Sequence, residues 1–562
     1  MGDQRLAVDQ MGAAGRGART FESLPPEILT SIIEYLVPNP PEIGETRPVD
    51  YERLSPGEPW FDFTRCRRGL RSMCRVSRRF RSMAQPLLYK VMAILEEESM
   101  ILFFRTLYEN PQYRHWPRYL SVHLTLTQEF VIRETRKCIA RLLRTFKPRD
   151  EVEPSWIMSF IDEMLAFAAT ALGDPSHSAV DLDDMPQVII TFILWLVPRI
   201  ETLLLQVPIC DDDPDYTSLC LKMMELQAFT TRREAEEQSI TSHPSFPLRR
   251  IETLCLQGDP ELLMHFENED CSCDVAEVWG VQVHPYAPLI NCLPNLVTME
   301  ISGDDGMRVD HLDEDLMPIT TPQPYLRRLR HIYLHDSVAC PRDLSLILKN
   351  APHLLTLYMS PRRTHNFWRE YPEVDPDVDP DALDVALSKH GKHLRHLDVA
   401  WLDAAYFASR IGPAGRLASL PELRRLERLC IQLAVLYGDE AAAASMTPPL
   451  ADLLPPSLLE LAVEDWWWHY NDVYNTIEEW GPAKKLEHYH AQRNYRTFAV
   501  RMLLQFASNF RERLPRLRRV MLLCKIPWTW MVEGDNVPMD FHFTDVKEEF
   551  KRNGVEFVVE EM

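Results

Sequence analysis

The stretch FESLPPEILTSIIEYLVP, residues 21–38, decides how the N-terminal part of this chain folds. Ser23 is a candidate helix cap, and Pro25 and Pro26 suit a first helical turn because the N–H groups they lack have no partner there. Apolar side chains then recur at helical spacing, at Ile28, Leu29, Ile32, Ile33 and Leu36. The pattern predicts an amphipathic helix of about four turns that ends at Pro38.

A second amphipathic stretch, LRSMCRVSRRFRSMAQPLLY, occupies residues 70–89. Most of its arginines lie on one side, and the other side is formed by Leu70, Met73, Cys74, Val76, Ser77, Phe80, Ala84, Leu87 and Leu88. We expect a second helix here, interrupted near its end by Pro86. Residues 37–66 are rich in Pro, Glu and Asp, which predicts an inserted surface loop between the two helices. Loop-closure entropy grows slowly with length, so such an insertion is tolerated.

Together the two stretches resemble an F-box. The matching elements are Leu24-Pro25-Pro26-Glu27-Ile28-Leu29, Ile32-Ile33, Leu36, Val76-Ser77, Arg79-Phe80 and Leu87-Leu88-Tyr89. The resemblance covers residues 21–92 and departs from the family pattern in the loop at about 37–66. The alternative is a pair of ordinary helices in an all-α domain.

The resemblance implies a partner. An F-box docks the adaptor subunit of an SCF-type cullin-RING ubiquitin ligase, and through the adaptor it joins a cullin. The adaptor-binding residues implied here are Leu24, Pro25, Ile28, Leu29, Ile32, Ile33, Leu36, Val76 and Phe80.

After residue 92 one apolar pattern, L-x-x-L-x-L, recurs along the chain. Its copies are Ile200-Leu203-Leu205, Ile251-Leu254-Leu256, Leu296-Met299-Ile301, Leu329-Ile332-Leu334, Leu354-Leu357-Met359, Leu394-Leu397-Val399, Leu426-Leu429-Ile431, Leu458-Leu461-Val463 and Leu517-Val520-Leu522. Tyr119-Val122-Leu124 is a candidate first copy, and residues 555–559 are a candidate last strand. The last two apolar positions alternate, as on a short strand with one buried face.

Apolar stripes with helical spacing lie between these candidate strands. They fall on residues 132–146, on residues 157–168, on Leu344, Ile347 and Leu348, and on residues 495–510. A strand-plus-helix unit buries its apolar sides only by stacking on its neighbours, which predicts a curved parallel sheet with helices outside.

This region resembles an irregular leucine-rich repeat array, of a kind common in fungal F-box proteins. The intervals between copies mostly exceed the usual period of about 20–29 residues, and the Asn or Cys ladder position is not consistently filled. The alternative is an unrelated α/β domain in which the pattern marks strand starts. The expected fold class is α/β: a disordered tail at 1–20, an all-α F-box at 21–92, and at 93–562 a leucine-rich-repeat-like solenoid of parallel strands and outer helices.

Composition narrows the classes of partner. A formal net charge of -22 disfavours binding to nucleic acid or to an anionic membrane surface. The longest apolar run, residues 188–197, is too short to span a membrane, and residues 1–20 lack the apolar core of a signal peptide. The 12 cysteines are scattered, so we expect reduced thiols in the cytoplasm or nucleus.

Candidate metal sites fit poorly. The spacing of His265, Cys271, Cys273 and His284 does not match a structural zinc pattern. Asp375, Asp377, Asp379 and Asp381 alternate as in a calcium loop, but Pro380 stands where that loop needs Gly. The chain also lacks a glycine-rich phosphate loop, a nucleophile elbow and a His-Glu-x-x-His motif. We therefore expect no metal, no cofactor and no catalytic residues.

Three adjacent tryptophans, Trp466, Trp467 and Trp468, cannot all face one way on a strand or helix. They are candidate target-binding residues, since exposed aromatic rings are typical anchors, although packing against the next repeat is an alternative. The predicted function is substrate recognition within the ubiquitin ligase. Two alternatives stay open: a scaffold of F-box and repeats that acts outside a ligase, and an enzyme whose cleft is assembled from residues distant in sequence.

Overall fold

The structure is a computed structural model that describes residues 24–38, 59–94, 97–122, 190, 193–194, 196–207, 247–258, 290, 293, 295–302, 324–337, 339, 341–361, 383–400, 416–437, 448–464, 500–524 and 543–561. These residues fall into two compact units, the first ending at Met92 and the second beginning at Ala93. In the described part of the chain, no helix is both long enough and apolar enough to cross a lipid bilayer.

The described residues of the first unit form three helices, α1 (Pro26–Glu34), α2 (Pro59–Val76) and α3 (Arg78–Lys90). The helix predicted after Ser23 is shorter than expected, since it has nine residues and Pro25 occupies its N-cap position. Two hydrogen-bonded turns follow it, in which Leu36 N–H donates to Ile33 O and Val37 N–H donates to Glu34 O.

The stretch at residues 70–89, predicted as a single helix, contains the end of α2 and most of α3. The chain breaks at Ser77, whose hydroxyl oxygen accepts the N–H of Phe80 at 3.3 Å and so caps α3. The prediction that Pro86 interrupts the helix is wrong, because α3 continues through it to Lys90. The predicted loop at 37–66 is also too long, since α2 begins at Pro59. Within α2, Phe63 and Leu70 are seven residues apart and both buried.

A long sheet has a strand order that follows the chain, and all of it lies in the second unit except the first two residues of β1. Its strands are β1 (Val91–Ile94), β2 (Tyr119–Val122), β3 (Thr202–Val207), β4 (Thr253–Gly258), β5 (Thr298–Ser302), β6 (His331–Ser337), β7 (Thr356–Pro361), β8 (His396–Val399), β9 (Arg428–Gln432), β10 (Glu460–Glu464), β11 (Arg519–Cys524) and β12 (Glu556–Glu561). All pairings from β2 to β12 are parallel. The mixed α/β class with parallel strands is therefore confirmed.

The recurring apolar pattern coincides with β3 to β11, as predicted. Its second position forms one continuous row across the sheet: Leu203, Leu254, Met299, Ile332, Leu357, Leu397, Leu429, Leu461 and Val520. Every side chain in this row is at most 2 % exposed. The predicted last strand is confirmed as β12, in which Phe557 pairs with Val520.

The first copy was predicted in the wrong register. Leu120 pairs with Leu203 and Val122 with Leu205, so the apolar pair of β2 is Leu120 and Val122 rather than Val122 and Leu124. Strand β1 was not predicted at all.

One backbone contact recurs where each strand begins. The carbonyl oxygen just before a strand accepts two N–H groups from the start of the next strand: Glu201 O accepts from Glu252 and Thr253, and Glu252 O accepts from Val297 and Thr298. The same paired contact continues to β11, where Leu459 O accepts from Arg518 and Arg519. It aligns the strand starts and so fixes the parallel register.

The described helices of the second unit are α4 (Glu97–Glu109), α5 (Pro341–Asn350), α6 (Leu383–His390), α7 (Leu433–Tyr437), α8 (Thr544–Arg552) and the helical residues 500–509. The predicted stripe of Leu344, Ile347 and Leu348 is confirmed on α5, and each of these side chains is at most 1 % exposed. The stripes predicted at 132–146 and 157–168, and the start of the one at 495–510, lie outside the described residues.

Candidate functional site

The first unit has a small core between its three helices. Leu29 and Ile33 of α1, Leu70 of α2, and Phe80 and Ala84 of α3 form it. All five side chains are at most 4 % exposed. Partly buried side chains pack around them: Leu24, Leu36, Met73, Cys74, Met83, Leu87 and Leu88. Leu29 and Ile33 therefore hold one edge of the apolar side of α1 against α2 and α3.

The other edge of that apolar side faces solvent. Ile28 is 50 % exposed, Ile32 is 37 % exposed and Tyr35 is 89 % exposed. These residues are four and then three positions apart, so they lie on one side of the helix and of the turn that follows it. We call this set the α1 stripe. Single exposed apolar residues are ordinary, but aligned ones indicate a contact surface for another molecule.

Two further apolar side chains are equally open in the described part of the chain, Val76 at 65 % and Leu102 at 49 %. Val76 ends α2 in the first unit, whereas Leu102 belongs to α4 of the second. Pro25, which precedes α1, is also exposed.

Arginines fix the helices that carry the stripe. Arg79 Nη2 donates a hydrogen bond to Leu24 O, and Arg81 Nε donates to Cys74 O at 3.0 Å across the break between α2 and α3. Leu24 O lies just before α1 and Cys74 O lies in the last turn of α2, so these contacts join α3 to the start of α1 and to the end of α2.

Arg67 is a half-buried cation within the first unit. Its Nη1 donates to Val91 O at 3.0 Å, and its guanidinium lies 5.5 Å from the centre of the Phe63 ring. Burial, with a smaller contribution from Arg71, lowers the pKa of Arg67 to about 10. The side chain is still charged at neutral pH and anchors the middle of α2 to the end of the unit.

The structure divides the nine residues predicted to bind an adaptor into three groups. Pro25, Ile28, Ile32 and Val76 are exposed; Leu24 and Leu36 are half-buried; and Leu29, Ile33 and Phe80 belong to the core. In this conformation a partner could contact only the exposed and the half-buried residues directly. The core residues hold the helices that carry them. Tyr35 was missed, although its spacing from Ile28 and Ile32 signals the same side of the helix.

The other predicted sites lie elsewhere. Trp466, Trp467 and Trp468, the His and Cys set from His265 to His284, and the aspartates from Asp375 to Asp381 are outside the described residues. Among the residues that are described, no group of three or more His, Cys, Asp or Glu could hold a metal ion. No family model matches the chain, and no curated protein matches it.

Proposed function

We propose that this chain is an F-box protein that serves as a substrate-recognition subunit of an SCF-type cullin-RING ubiquitin ligase. The first unit docks the ligase adaptor, and the second unit, a leucine-rich-repeat-like array, holds a target protein. The observation that carries the proposal is the split of adjacent residues on α1. Leu29 and Ile33 are fully buried, whereas Ile28 and Ile32, each one position before them, are open to a partner.

The energetics are those of a modest apolar docking face. Full burial of an isoleucine side chain stabilises by about 1.5–3 kcal/mol, and Ile28 and Ile32 are already partly covered. A partner therefore gains roughly half of that at each residue, before the entropy loss on association. Tyr35, Pro25 and Val76 are further exposed apolar side chains of the first unit that the adaptor can contact.

The proposed contribution to ubiquitin transfer is proximity. The second unit brings the target close to the enzyme that carries ubiquitin, while the chemistry is catalysed by other subunits. On this proposal the protein is not an enzyme, needs no cofactor, and works in the cytoplasm or nucleus where these ligases act.

A double variant tests the docking face. Ile28→Asp with Ile32→Asp places two carboxylates in the α1 stripe without disturbing Leu29 or Ile33. Leu102→Asp is the matched control, because Leu102 is exposed to the same degree but lies on α4. With tagged full-length chain as bait, the wild type and the control should recover both adaptor and cullin from cell extract. The double variant should recover neither.

The outcomes separate the alternatives. Unchanged recovery by the double variant would show that the proposed docking face is wrong. Recovery of the adaptor without a cullin would favour the scaffold that acts outside a ligase. Far-UV circular dichroism of each variant shows whether a loss of binding reflects a loss of helical structure instead.

A further inference from the structure

A tight turn precedes each strand from β4 to β11. The N–H of the first apolar residue of the repeated pattern donates to the carbonyl oxygen three positions earlier, as from Leu329 to Leu326 at 3.1 Å and from Leu426 to Leu423 at 2.9 Å. The two residues between donor and acceptor are the corners of the turn. The second corners are Arg250, Asn295, Arg328, His353, His393, Arg425, Ser457 and Arg516, and all are exposed except Ser457. We call these eight residues the corner row.

The corner row is basic, although neither turn chemistry nor overall composition favours this. It contains four arginines, two histidines and no Asp or Glu, whereas acidic residues outnumber Lys and Arg in the whole chain by 83 to 61. Turn corners favour Gly, Asn, Asp and Ser. A cation at the end of a short helical turn is mildly stabilising, but cations on neighbouring turns repel one another. The bias therefore indicates contact with an anion rather than a requirement of folding.

The positive charge is densest where β6, β8 and β9 begin. The first corner of each of these turns is also basic, and Arg327, Lys392 and Arg424 are all exposed. Together with Arg328 and Arg425 they form a set that we call the corner patch. Since neighbouring parallel strands lie about 4.8 Å apart, the patch extends over roughly 15 Å from the start of β6 to the start of β9.

Side-chain contacts along the corner row show that these turns are neighbours. The ring centres of His353 and His393, on the turns before β7 and β8, are 6.0 Å apart. Arg425 Nη1 lies 3.2 Å from His393 Nδ1. Because a guanidinium has only donors, Arg425 donates this hydrogen bond and the unprotonated Nδ1 accepts it. The contact holds Arg425 in place and leaves its charge unneutralised by His393.

Two acidic side chains lie close to the patch. Glu422 is exposed two positions before Arg424, and its Oε2 accepts the Ser388 hydroxyl at 3.4 Å. Glu427 is half-buried, and its N–H donates to the carbonyl oxygen of the exposed Arg395, which adds a further cation beside it. These two carboxylates are outnumbered by the cations of the corner patch.

Three cations of the patch are available to a ligand. Within the described part of the chain, the side chains of Arg327, Lys392 and Arg424 form no hydrogen bond or ion pair. An anion that binds here gains charge-assisted hydrogen bonds and also relieves the repulsion between these side chains.

We propose that the corner patch binds a segment of the target protein that is rich in Asp and Glu, with carboxylates against Arg327, Lys392 and Arg424. Charge complementarity selects an anionic occupant, and the guanidinium group matches the geometry of a carboxylate. Nucleic acid fits less well, since a long polyanion extends beyond the patch and is repelled there by a chain of net charge -22. The inference rests on the proposed function in that the segment belongs to the target protein.

The test measures binding of a short fluorescein-labelled peptide of alternating Glu and Gly by fluorescence anisotropy with the full chain. The same peptide with every Glu replaced by Gln is the neutral probe. The net charge of the chain predicts repulsion of the Glu peptide, so a preference for it requires a local basic surface. The wild type should bind the Glu peptide and not the neutral one. Equal binding of both peptides, or of neither, would overturn the proposal.

A triple variant locates the binding surface. Arg327→Gln with Lys392→Gln and Arg424→Gln removes three exposed cations and should weaken binding of the Glu peptide roughly tenfold. An unchanged affinity would show that the peptide binds elsewhere.

The matched control removes the same charge from α2, which is also rich in arginine. Arg65→Gln with Arg68→Gln and Arg75→Gln neutralises three exposed side chains and should leave the affinity unchanged. A loss in the control as large as that in the triple variant would overturn the proposal, because it would show attraction by net charge or by α2.

A charge-retaining variant separates loss of charge from loss of folding. Arg327→Lys with Arg424→Lys keeps both cations and should retain most of the binding. A loss as large as that in the triple variant would show that positive charge is not what the peptide recognises.

A competition experiment tests the class of occupant. Unlabelled Glu peptide should displace the labelled peptide at a lower concentration than oligothymidylate with the same number of charges. The reverse order would make nucleic acid the occupant and a protein segment the wrong one.

Failure of this proposal is distinct from failure of the proposed function. Adaptor recovery should be unchanged by the triple variant, and binding of the Glu peptide should be unchanged by Ile28→Asp with Ile32→Asp.

Discussion

Arg79 Nη2 donates a 2.7 Å hydrogen bond to the carbonyl oxygen of Leu24, 55 positions earlier in the chain. This contact joins the start of α1 to the start of α3 and bypasses the segment that connects α1 to α2. The helix that carries the α1 stripe is thus oriented by a residue that contributes nothing to the stripe itself.

Arg79→Ala should loosen α1 without unfolding α2 or α3. A hydrogen bond from a charged donor is worth about 1.5–3 kcal/mol, and partial exposure of Arg79 reduces this to about 1 kcal/mol. Amide hydrogen exchange across residues 26–34 should quicken accordingly. Arg68→Ala, at an exposed position on α2, is the control and should change nothing. Equal exchange rates in both variants would mean that the contact does not orient α1.

Leu29→Ala and Ile28→Ala should differ in their effect on stability, because Leu29 belongs to the core and Ile28 to the α1 stripe. Leu29 is fully buried, so its truncation leaves a cavity and should lower the free energy of unfolding of the first unit by about 2–5 kcal/mol. Ile28 is half exposed, and its truncation should lower that free energy by less than about 0.5 kcal/mol. Hydrogen exchange of α1 and α3 amides measures both. Comparable losses would show that Ile28 belongs to the core.

Two histidines on the sheet, His331 and His396, both contact Thr356 and should make the free energy of unfolding depend on pH. His331 Nδ1 lies 3.0 Å and His396 Nδ1 3.4 Å from Thr356 Oγ1, and the single hydroxyl proton can be donated to only one of them. Burial lowers the pKa of both histidines below the usual 6.5, with a further lowering of His331 by His396 and Arg330 and of His396 by Arg428. The unfolded chain therefore takes up protons first as the pH falls, and stability that is present above pH 6.5 is lost below it.

His331→Gln with His396→Gln should flatten this dependence. The difference in melting temperature between about pH 7.5 and about pH 5.5, measured by differential scanning fluorimetry, should be smaller in this variant than in the wild type. His353→Gln with His393→Gln removes two exposed histidines and should leave the difference intact. An equal change in both variants would assign the pH dependence to other groups.

Gly554 ends α8 in a left-handed backbone conformation that residues with a Cβ atom rarely adopt. Its φ is 67°, its N–H donates to Lys551 O at 2.9 Å, and the N–H of Val555 donates to Phe550 O at 3.0 Å. This is a left-handed helix end of the Schellman type. Gly554→Ala should therefore lower the stability of β12 by about 1–2 kcal/mol, seen as faster hydrogen exchange at residues 556–561. Gly554→Asn should have a smaller effect, since Asn adopts this conformation more readily; a larger effect for Asn would contradict the assignment.

The sequence located most strands because their burial depends on spacing alone. Two apolar residues separated by one position, after an apolar turn residue, suffice to place one face of a short strand in a core. Spacing failed at β2, where Leu120, Val122 and Leu124 offer two equivalent pairs. The choice between them is made by pairing with β3, which lies about eighty residues further along.

The start of α2 was missed for a different reason. Residues 59–69 are rich in charged side chains, and the helix is held there by Phe63 and by Arg67, a half-buried cation that lies over the Phe63 ring and donates to Val91 O. An arginine that is partly covered in this way looks like a surface residue in any hydrophobic pattern. Its role emerges only when its acceptor, 24 positions away, is known.

The sequence predicted a broad apolar side on α1. Which of its residues are buried and which are exposed could not be predicted from the sequence. Ile28 and Leu29, like Ile32 and Ile33, are adjacent and similarly apolar. Which of each pair is covered depends on where α2 and α3 lie across α1, and that is set by contacts such as the one between Arg79 and Leu24.

The order of the strands has a mechanical consequence. Among the described strands, each one from β2 to β11 hydrogen-bonds only to the strands before and after it in the chain, so each strand is coupled directly to its two neighbours alone. A force applied at the C-terminus should peel away β12, then β11, then β10, in a series of small rips. Optical tweezers would record a series of discrete increases in extension. After each one, a shorter sheet would remain whose N-terminal strands are still folded.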